Sequence, residues 1–229
     1  MKLLNSFVSP FAARVRVAIY AYDLPVDIAP SGQWLANYEK SPDFLKINPI
    51  GRVPTLILDD GSALPESGVI VDYLADAFPN AALRPRDPQT AARARLLAHL
   101  AELYVQIPAN PLFRQFFAPQ RDQRQIETAI NAMNDGIAYL DHFLDDTKLT
   151  AGSTITIADC ALAPYLFLFA ERMVATFDAP PIIERHPKVA AYWRRLQTEP
   201  AVNRVLGEMR TAIASSPLRN LLPAAATVV

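Results

Sequence analysis

Cysteine is almost missing: Cys160 is the sole thiol in 229 residues. A disulfide framework within the chain and a Cys-rich zinc site are both excluded. Excess charge of either sign is missing too. Twenty-two basic and 23 acidic residues leave a net charge of −1, which gives no electrostatic reason to expect nucleic acid or an anionic membrane as partner. Glycine is scarce (7), which suits a largely helical chain, whereas proline is plentiful (20) and is expected to mark element boundaries. No window approaches the roughly 18 uninterrupted apolar residues of a membrane span, and no long apolar leader follows "MKLLNSF". A soluble, cytoplasmic protein is expected. Neither G-x-G-x-x-G nor G-x-x-x-x-G-K-[ST] occurs, so there is no nucleotide fingerprint. His99, His142 and His186 lie far apart, without metal-ligand spacing, and no metal is expected. No G-x-S-x-G elbow supports a serine triad.

Half of the residues are apolar, and their periodicity changes along the chain. Up to about Phe78 the elements are short and mixed. "KLLNSF" reads as a strand, "PFAARVRVAIYAYD" as a helix with Val15, Ala18, Ile19 and Tyr22 on one face, and "PVDIAP" as a second strand. An irregular segment follows. "PTLILDDGSAL" reads as a hairpin, and "ESGVIVDYLADAF" as a helix. The proline-rich "PNAALRPRDP", residues 79–88, reads as a linker. Beyond it the apolar stripes are helical, and "TIADCALAPYLFLFAERM" is apolar almost all round, as a central buried helix would be. The expected fold is an α/β domain over 1–78 (β-α-β-α-β-β-α) followed by an all-helical domain over 89–229.

Four short stretches carry candidate chemistry. Ser9-Pro10 stands where a strand gives way to a helix, which suits a serine N-cap with proline at the first helical position. The same geometry favours an anion, because a helix N-terminus presents unpaired N–H groups and partial positive charge. A hydroxyl there can donate to a bound thiolate. Ser6 is a rival hydroxyl, expected within the strand. In "GRVPTLIL", Pro54 opens a strand, and a cis Val53-Pro54 bond would turn the Val53 backbone outward toward an extended peptide ligand. In "LPESGVIVDYL", Glu66 and Ser67 stand at a helix start, either as caps or as a site for a ligand with both an amine and a carboxylate. In "STITIADC", Thr156 and Asp159 have capping-box spacing, which is structural.

The order of these features is what distinguishes the chain. "SPFAARVR", "NPIGRVPTL", "PES", a proline-rich linker and "ITIADCAL" resemble the glutathione S-transferase superfamily over about residues 1–210. The resemblance implies a thioredoxin-like domain that binds glutathione as cosubstrate and a helical domain with the second-substrate pocket. It matches Ser9 to the catalytic serine of serine-type classes such as tau and zeta, in a member of bacterial type. Omega-type relatives carry cysteine in that slot. It also matches Val53 to the residue that pairs with the cysteinyl backbone, Pro54 to a cis-proline, and Glu66 and Ser67 to the γ-glutamyl clamp. Arg52 falls near the glycyl carboxylate, and Phe11 is assigned to the glutathione side. Tyr104, Phe113, Phe117, Tyr165 and Phe169 are the candidate walls of an apolar second pocket. Where zeta enzymes carry Ser-Ser-Cys this chain has Ser9-Pro10-Phe11, which counts against a maleylacetoacetate isomerase.

The resemblance further implies a homodimer and a role in detoxification, with an apolar electrophile as second substrate. Conjugation, isomerisation, ether cleavage and dehalogenation share this site and stay open. So do a thiol-disulfide enzyme using Cys160 and a non-catalytic binding module.

Overall fold

The computed structural model describes residues 1–30, 38–145 and 149–222. The first domain is built on a mixed four-stranded sheet of order β2-β1-β3-β4. Strand β1 (Lys2–Asn5) runs parallel to β2 (Asp27–Pro30) and antiparallel to β3 (Thr55–Ile57), which pairs antiparallel with β4 (Ala63–Pro65). The expected hairpin is present. Its Asp-Asp-Gly turn is closed by Leu58 and Ser62, and Gly61 takes the left-handed φ of +85° that glycine tolerates. Helix α1 (Pro10–Ala21) starts on the Ser9 cap, with Pro10 at the first helical position. Helix α2 (Pro42–Ile47) starts the same way on Ser41, and α3 is Ser67–Ala77. Residues 79–87 carry neither helix nor strand.

Helix α1 packs on α3 on one side and on two helices of the second domain on the other. Its apolar residues Val15, Ala18 and Ile19 join the core, as the sequence spacing predicts, but Arg14 and Arg16 are buried as well. Each finds an acid on the helical domain: Arg14 Nη1 donates to Glu102 Oε2 at 3.2 Å, and Arg16 Nε lies 3.7 Å from Glu208 Oε2.

The second domain begins with α4 (Pro88–Leu100), capped by Asp87, and continues through a π-helical stretch, Ala101–Gln106, into α5 (Ile107–Phe117). Helix α6 (Gln123–Phe143) follows, then α7 (Ile157–Tyr165) with a second π-helical stretch, Leu166–Met173, then α8 (Pro187–Leu196) and α9 (Pro200–Ala214). Proline marks many boundaries, as expected, but Pro108, Pro111 and Pro164 lie inside helices. Proline has no N–H for the carbonyl four residues back and crowds it. The ladder next to Pro108 widens to i→i−5, with the Ile107 N–H donating to the Glu102 carbonyl.

Helix α7 is buried throughout. Its capping box is formed: Asp159, fully buried, accepts from the Thr156 N–H at 2.8 Å. The same carboxylate accepts from the Thr150 hydroxyl at 2.8 Å and the Tyr192 hydroxyl at 2.9 Å, which ties α7 to α8. No helix among the described residues is long and apolar enough to cross a membrane.

Candidate active site

A cavity of about 510 Å³ opens where the C-terminal ends of β1 and β4 and the N-terminal end of β3 face the helical domain. Ser9, Phe11, Arg52, Val53, Pro54, Glu66 and Ser67, all expected on the glutathione side, line it together. Segments from 9 to 67 meet there because the loops leaving β1, preceding β3 and following β4 converge on the same edge.

Ser9 accepts the Ala12 N–H on its Oγ at 3.3 Å. Its own hydroxyl proton has no acceptor among the described residues and remains available to a ligand. The residue is half-buried at the N-terminus of α1. Ser6 lies one residue past the end of β1 instead of within it. It also lines the cavity, and its buried Oγ has no hydrogen-bond partner among the described residues.

The Val53-Pro54 bond is cis, and both residues face the cavity. The loop before them is held by one buried side chain, Asn48. Its Nδ2 donates to the Arg52 carbonyl at 2.9 Å and to Thr55 Oγ1 at 3.0 Å, and its Oδ1 accepts the Ile50 N–H at 3.0 Å. Gly51, at a φ of +64°, completes the turn, and its carbonyl accepts from Lys40 Nζ at 2.6 Å. Lys40 and Arg52 thus place two cations on one lip of the cavity, with Glu39 beside them.

Glu66 has a φ of +70°, a left-handed conformation that costs a non-glycine residue about 1–3 kcal/mol and is typical of functional sites. It stands at the cap position of α3 without capping it by a side-chain hydrogen bond. Glu66 thus occupies the cap position through its backbone alone, its carbonyl accepting the Ile70 N–H at 2.8 Å. Its carboxylate is exposed, and Glu66 and Ser67 both line the cavity at the start of α3. Behind them Arg14 packs against Gly68, where an added Cβ would lie 3.2 Å from Nη1.

The opposite wall comes from the helical domain: Gln106, Asn110, Phe113, Leu168, Phe169 and Leu218. Among the described residues this wall carries no ionisable side chain. Gln106 Nε2 donates to Asn110 Oδ1 at 3.2 Å, so one amide N–H₂ and one amide carbonyl remain for a ligand. Of the five aromatic residues expected here, Phe113 and Phe169 line the cavity and three do not. Tyr165 is buried a layer behind, in ring contact with Phe11 (5.8 Å) and Phe169 (5.7 Å), and burial pushes its hydroxyl up to about 12. Tyr104 is exposed against Tyr139, and Phe117 is exposed at the end of α5. Helical spacing finds an aromatic stripe but not which of two neighbouring cores it meets. Sequence reasoning missed Lys40, which has no local signal, and Asn48, for which the Asn-Pro-x-Gly turn signal was available. It also missed the Gln106–Asn110 pair.

Burial raises the Cys160 thiol far above its ordinary range, and Asp159 next to it adds to this. The thiol is on α7, outside the cavity lining. No group of three or more potential metal ligands occurs among the described residues.

The molecule is thus a thioredoxin-like sheet domain joined to a helical bundle, with a cis-proline loop and a helix start lacking a side-chain cap on the cavity at their junction. Residues 3–82 match the family described as glutathione S-transferase, N-terminal domain, and residues 82–195 match glutathione S-transferase, C-terminal domain. The chain belongs to the glutathione S-transferase family. It is 32% identical over 201 residues to the maleylacetoacetate isomerase of Pseudomonas aeruginosa, covering 83% of this chain and 91% of that one. It is 29% identical over 213 residues to a glutathione S-transferase of Arabidopsis thaliana, covering 90% and 94%. A glutathione S-transferase structure from Methylobacillus flagellatus, with glutathione bound, matches with a TM-score of 0.73 at 27% identity, covering 89% of this chain and 98% of that one.

Proposed function

We propose that the protein conjugates glutathione to uncharged, apolar electrophiles and that Ser9 stabilises the reacting thiolate. The observation that carries this reading is the state of Ser9. Its oxygen is fixed by the Ala12 amide while its proton is free, at a helix N-terminus inside the cavity. A free thiol has a pKa of about 8.5 and is only a few per cent ionised at neutral pH. Each unit of lowering requires about 1.4 kcal/mol of preferential thiolate stabilisation. One charge-assisted hydrogen bond and a helix terminus supply one to two such units. The thiolate then attacks the electrophilic carbon and forms the C–S bond; in substitution the leaving group departs with its bonding electron pair, and in addition to an activated alkene the resulting carbanion takes a proton from water. No covalent bond to the protein is needed, and positioning both reactants in one cavity contributes much of the rate.

The remaining contacts orient the tripeptide. The Val53 backbone pairs with the cysteinyl unit, Glu66 takes the γ-glutamyl ammonium, and Ser67 with the α3 amides takes its carboxylate. Arg52 with Lys40 takes the glycyl carboxylate. Phe11, Phe113 and Phe169 pack on the electrophile, whose neutral polar group faces Gln106 and Asn110. We propose a homodimer, supported by the exposed apolar side chains Val69, Leu103 and Ile107. We also propose a cytoplasmic location, where glutathione is kept reduced, and a role in detoxification through conjugation of electrophiles.

The similarity to the Pseudomonas isomerase favours a second reading, glutathione-dependent cis–trans isomerisation. The uncharged helical wall and the Ser9-Pro10-Phe11 sequence weigh against an anionic substrate such as maleylacetoacetate.

The test is a panel of electrophiles assayed with glutathione, with maleylacetoacetate isomerisation alongside, in the native protein and in Ser9→Ala. Turnover should fall by about 10²-fold or more, the loss typical of a missing transition-state donor, with glutathione still bound. Unchanged turnover rejects Ser9 as the thiolate partner.

A further inference from the structure

The turn that delivers Ser9 to the cavity is closed by its own backbone, with the Ser9 N–H donating to the Ser6 carbonyl at 3.2 Å. The carbonyl of Phe7, within that turn, accepts from Arg16 Nη2 at 3.3 Å, and the guanidinium carbon lies 4.5 Å from the Phe7 ring centroid. Arg16 is wholly buried. Among the described residues its one hydrogen bond is the one to Phe7, because Nε and Nη1 have no such partner. Its counter-charge comes from the other domain, where Glu208 on α9 lies 3.7 Å from Nε. Glu208 is itself fixed, accepting from the Tyr20 hydroxyl at 3.0 Å and from Arg204 Nε at 3.2 Å. Arg204 lies over the Tyr20 ring at 3.7 Å.

A buried guanidinium is an expensive way to fill space. Well-packed apolar residues of similar volume usually do as well or better, so a buried ion pair is poor evidence of a purely stabilising role. The penalty is visible here: burial draws Arg16 down to about 10, and Glu208 works against that shift. What this charge does with its hydrogen-bonding capacity is hold one carbonyl, two residues before Ser9.

We propose that Arg16 is a positioning residue through which Glu208 of the helical domain fixes the Ser6–Ser9 turn, and with it the Ser9 hydroxyl against the thiolate. This rests on the reading of Ser9 given above. Loosening the turn weakens one hydrogen bond to the thiolate and leaves the tripeptide contacts in place, since those come from other loops. The charged groups that line the cavity, Glu39, Lys40, Arg52 and Glu66, are not in this network and keep their places. The signature is therefore a raised thiol pKa with glutathione affinity preserved.

The test uses the full chain with Arg16→Met, Glu208→Gln, Ser9→Ala and a core truncation on α8, Val189→Ala, as a stability control. The readouts are the pH profile of kcat/KM, the ultraviolet absorbance of the bound thiolate, and KM for glutathione. Arg16→Met and Glu208→Gln should each raise the thiol pKa by about 0.5–1 unit. They should lower kcat/KM below that pKa about three- to tenfold, with KM for glutathione changed by less than about twofold. Val189→Ala should lower stability and leave the pKa alone. If Arg16→Met does not fold, Glu208→Gln decides, because glutamine preserves the shape and the bond from Tyr20. Folded variants with an unshifted pKa overturn the proposal while a shifted Ser9→Ala leaves the reading of Ser9 intact. An unshifted Ser9→Ala overturns both.

Discussion

Gly136 on α6 lies directly against the carbonyl of Tyr104, where an added Cβ would sit 2.0 Å from the oxygen. That carbonyl is the one for which Pro108, four residues on, has no N–H to offer. Helix α6 therefore approaches the broken ladder as closely as backbone allows. Gly136→Ala gains up to about 1 kcal/mol of helix propensity but must push α6 off the chain that carries Gln106 and Asn110. A net loss of about 2 kcal/mol or more is expected from overpacking, measured by urea unfolding. A stabilised variant would contradict the close approach.

Asn48 makes three hydrogen bonds from inside the loop that presents Arg52 and Val53. Asn48→Ala leaves the Arg52 carbonyl and the Ile50 N–H without this partner, at a cost of about 1–3 kcal/mol. KM for glutathione should rise several-fold more than kcat falls, because the loop binds and does not react. Steady-state kinetics with glutathione varied separates the two.

Alkali should unfold the protein through its tyrosines. Tyr165 is raised to about 12 in the folded state, against about 10 unfolded, chiefly by burial. Between those values the native state holds a proton that the unfolded chain has released, so stability falls as pH rises from 10 to 12. At about 1.4 kcal/mol per unit, Tyr165 alone accounts for roughly 2–3 kcal/mol. Tyr192, also raised well above its ordinary value, adds to this. Spectrophotometric titration should show a delayed tyrosine class that ionises together with loss of helical circular dichroism. In Tyr165→Phe the stability slope above pH 10 should be shallower.

Cys160 should be inert in the native protein. It is buried, and its thiol is held far above neutral pH. Alkylation near pH 8 should be undetectable without denaturant and stoichiometric with it. Rapid native labelling, or a mixed disulfide with glutathione, would revive the thiol-disulfide reading.

Most of the first domain was legible because its elements announce themselves locally, the short helix α2 in the stretch read as irregular being the exception. Ser9-Pro10 starts α1, Asp59-Asp60-Gly61 turns the hairpin, and Pro54 stands just ahead of β3. The capping box at Thr156 and Asp159 was equally plain. What escaped the sequence depends on partners far along the chain. Arg14 and Arg16 look like solvated positions of an amphipathic helix until Glu102 and Glu208, some 88 and 192 residues later, show what meets them. Pro108 and Pro111 read as the end of a helix because a local rule cannot anticipate a neighbouring helix against a widened turn, whereas Pro164 lies within the one long helix that its apolar surroundings predict. The same limit misplaced Tyr104, Phe117 and Tyr165, whose spacing was right and whose direction is set by packing.

The burial of α1 between α3 and two helices of the second domain has an engineering consequence. Helix α1 carries two buried arginines whose acidic partners among the described residues both lie on the helical domain, so the helical domain is not a cassette. A chimera that keeps this sheet domain but takes a helical domain from a relative inherits an obligation at two positions. Unless acids equivalent to Glu102 and Glu208 come with it, two cations are stranded beneath the glutathione site, and selectivity cannot be exchanged by swapping domains at residue 82.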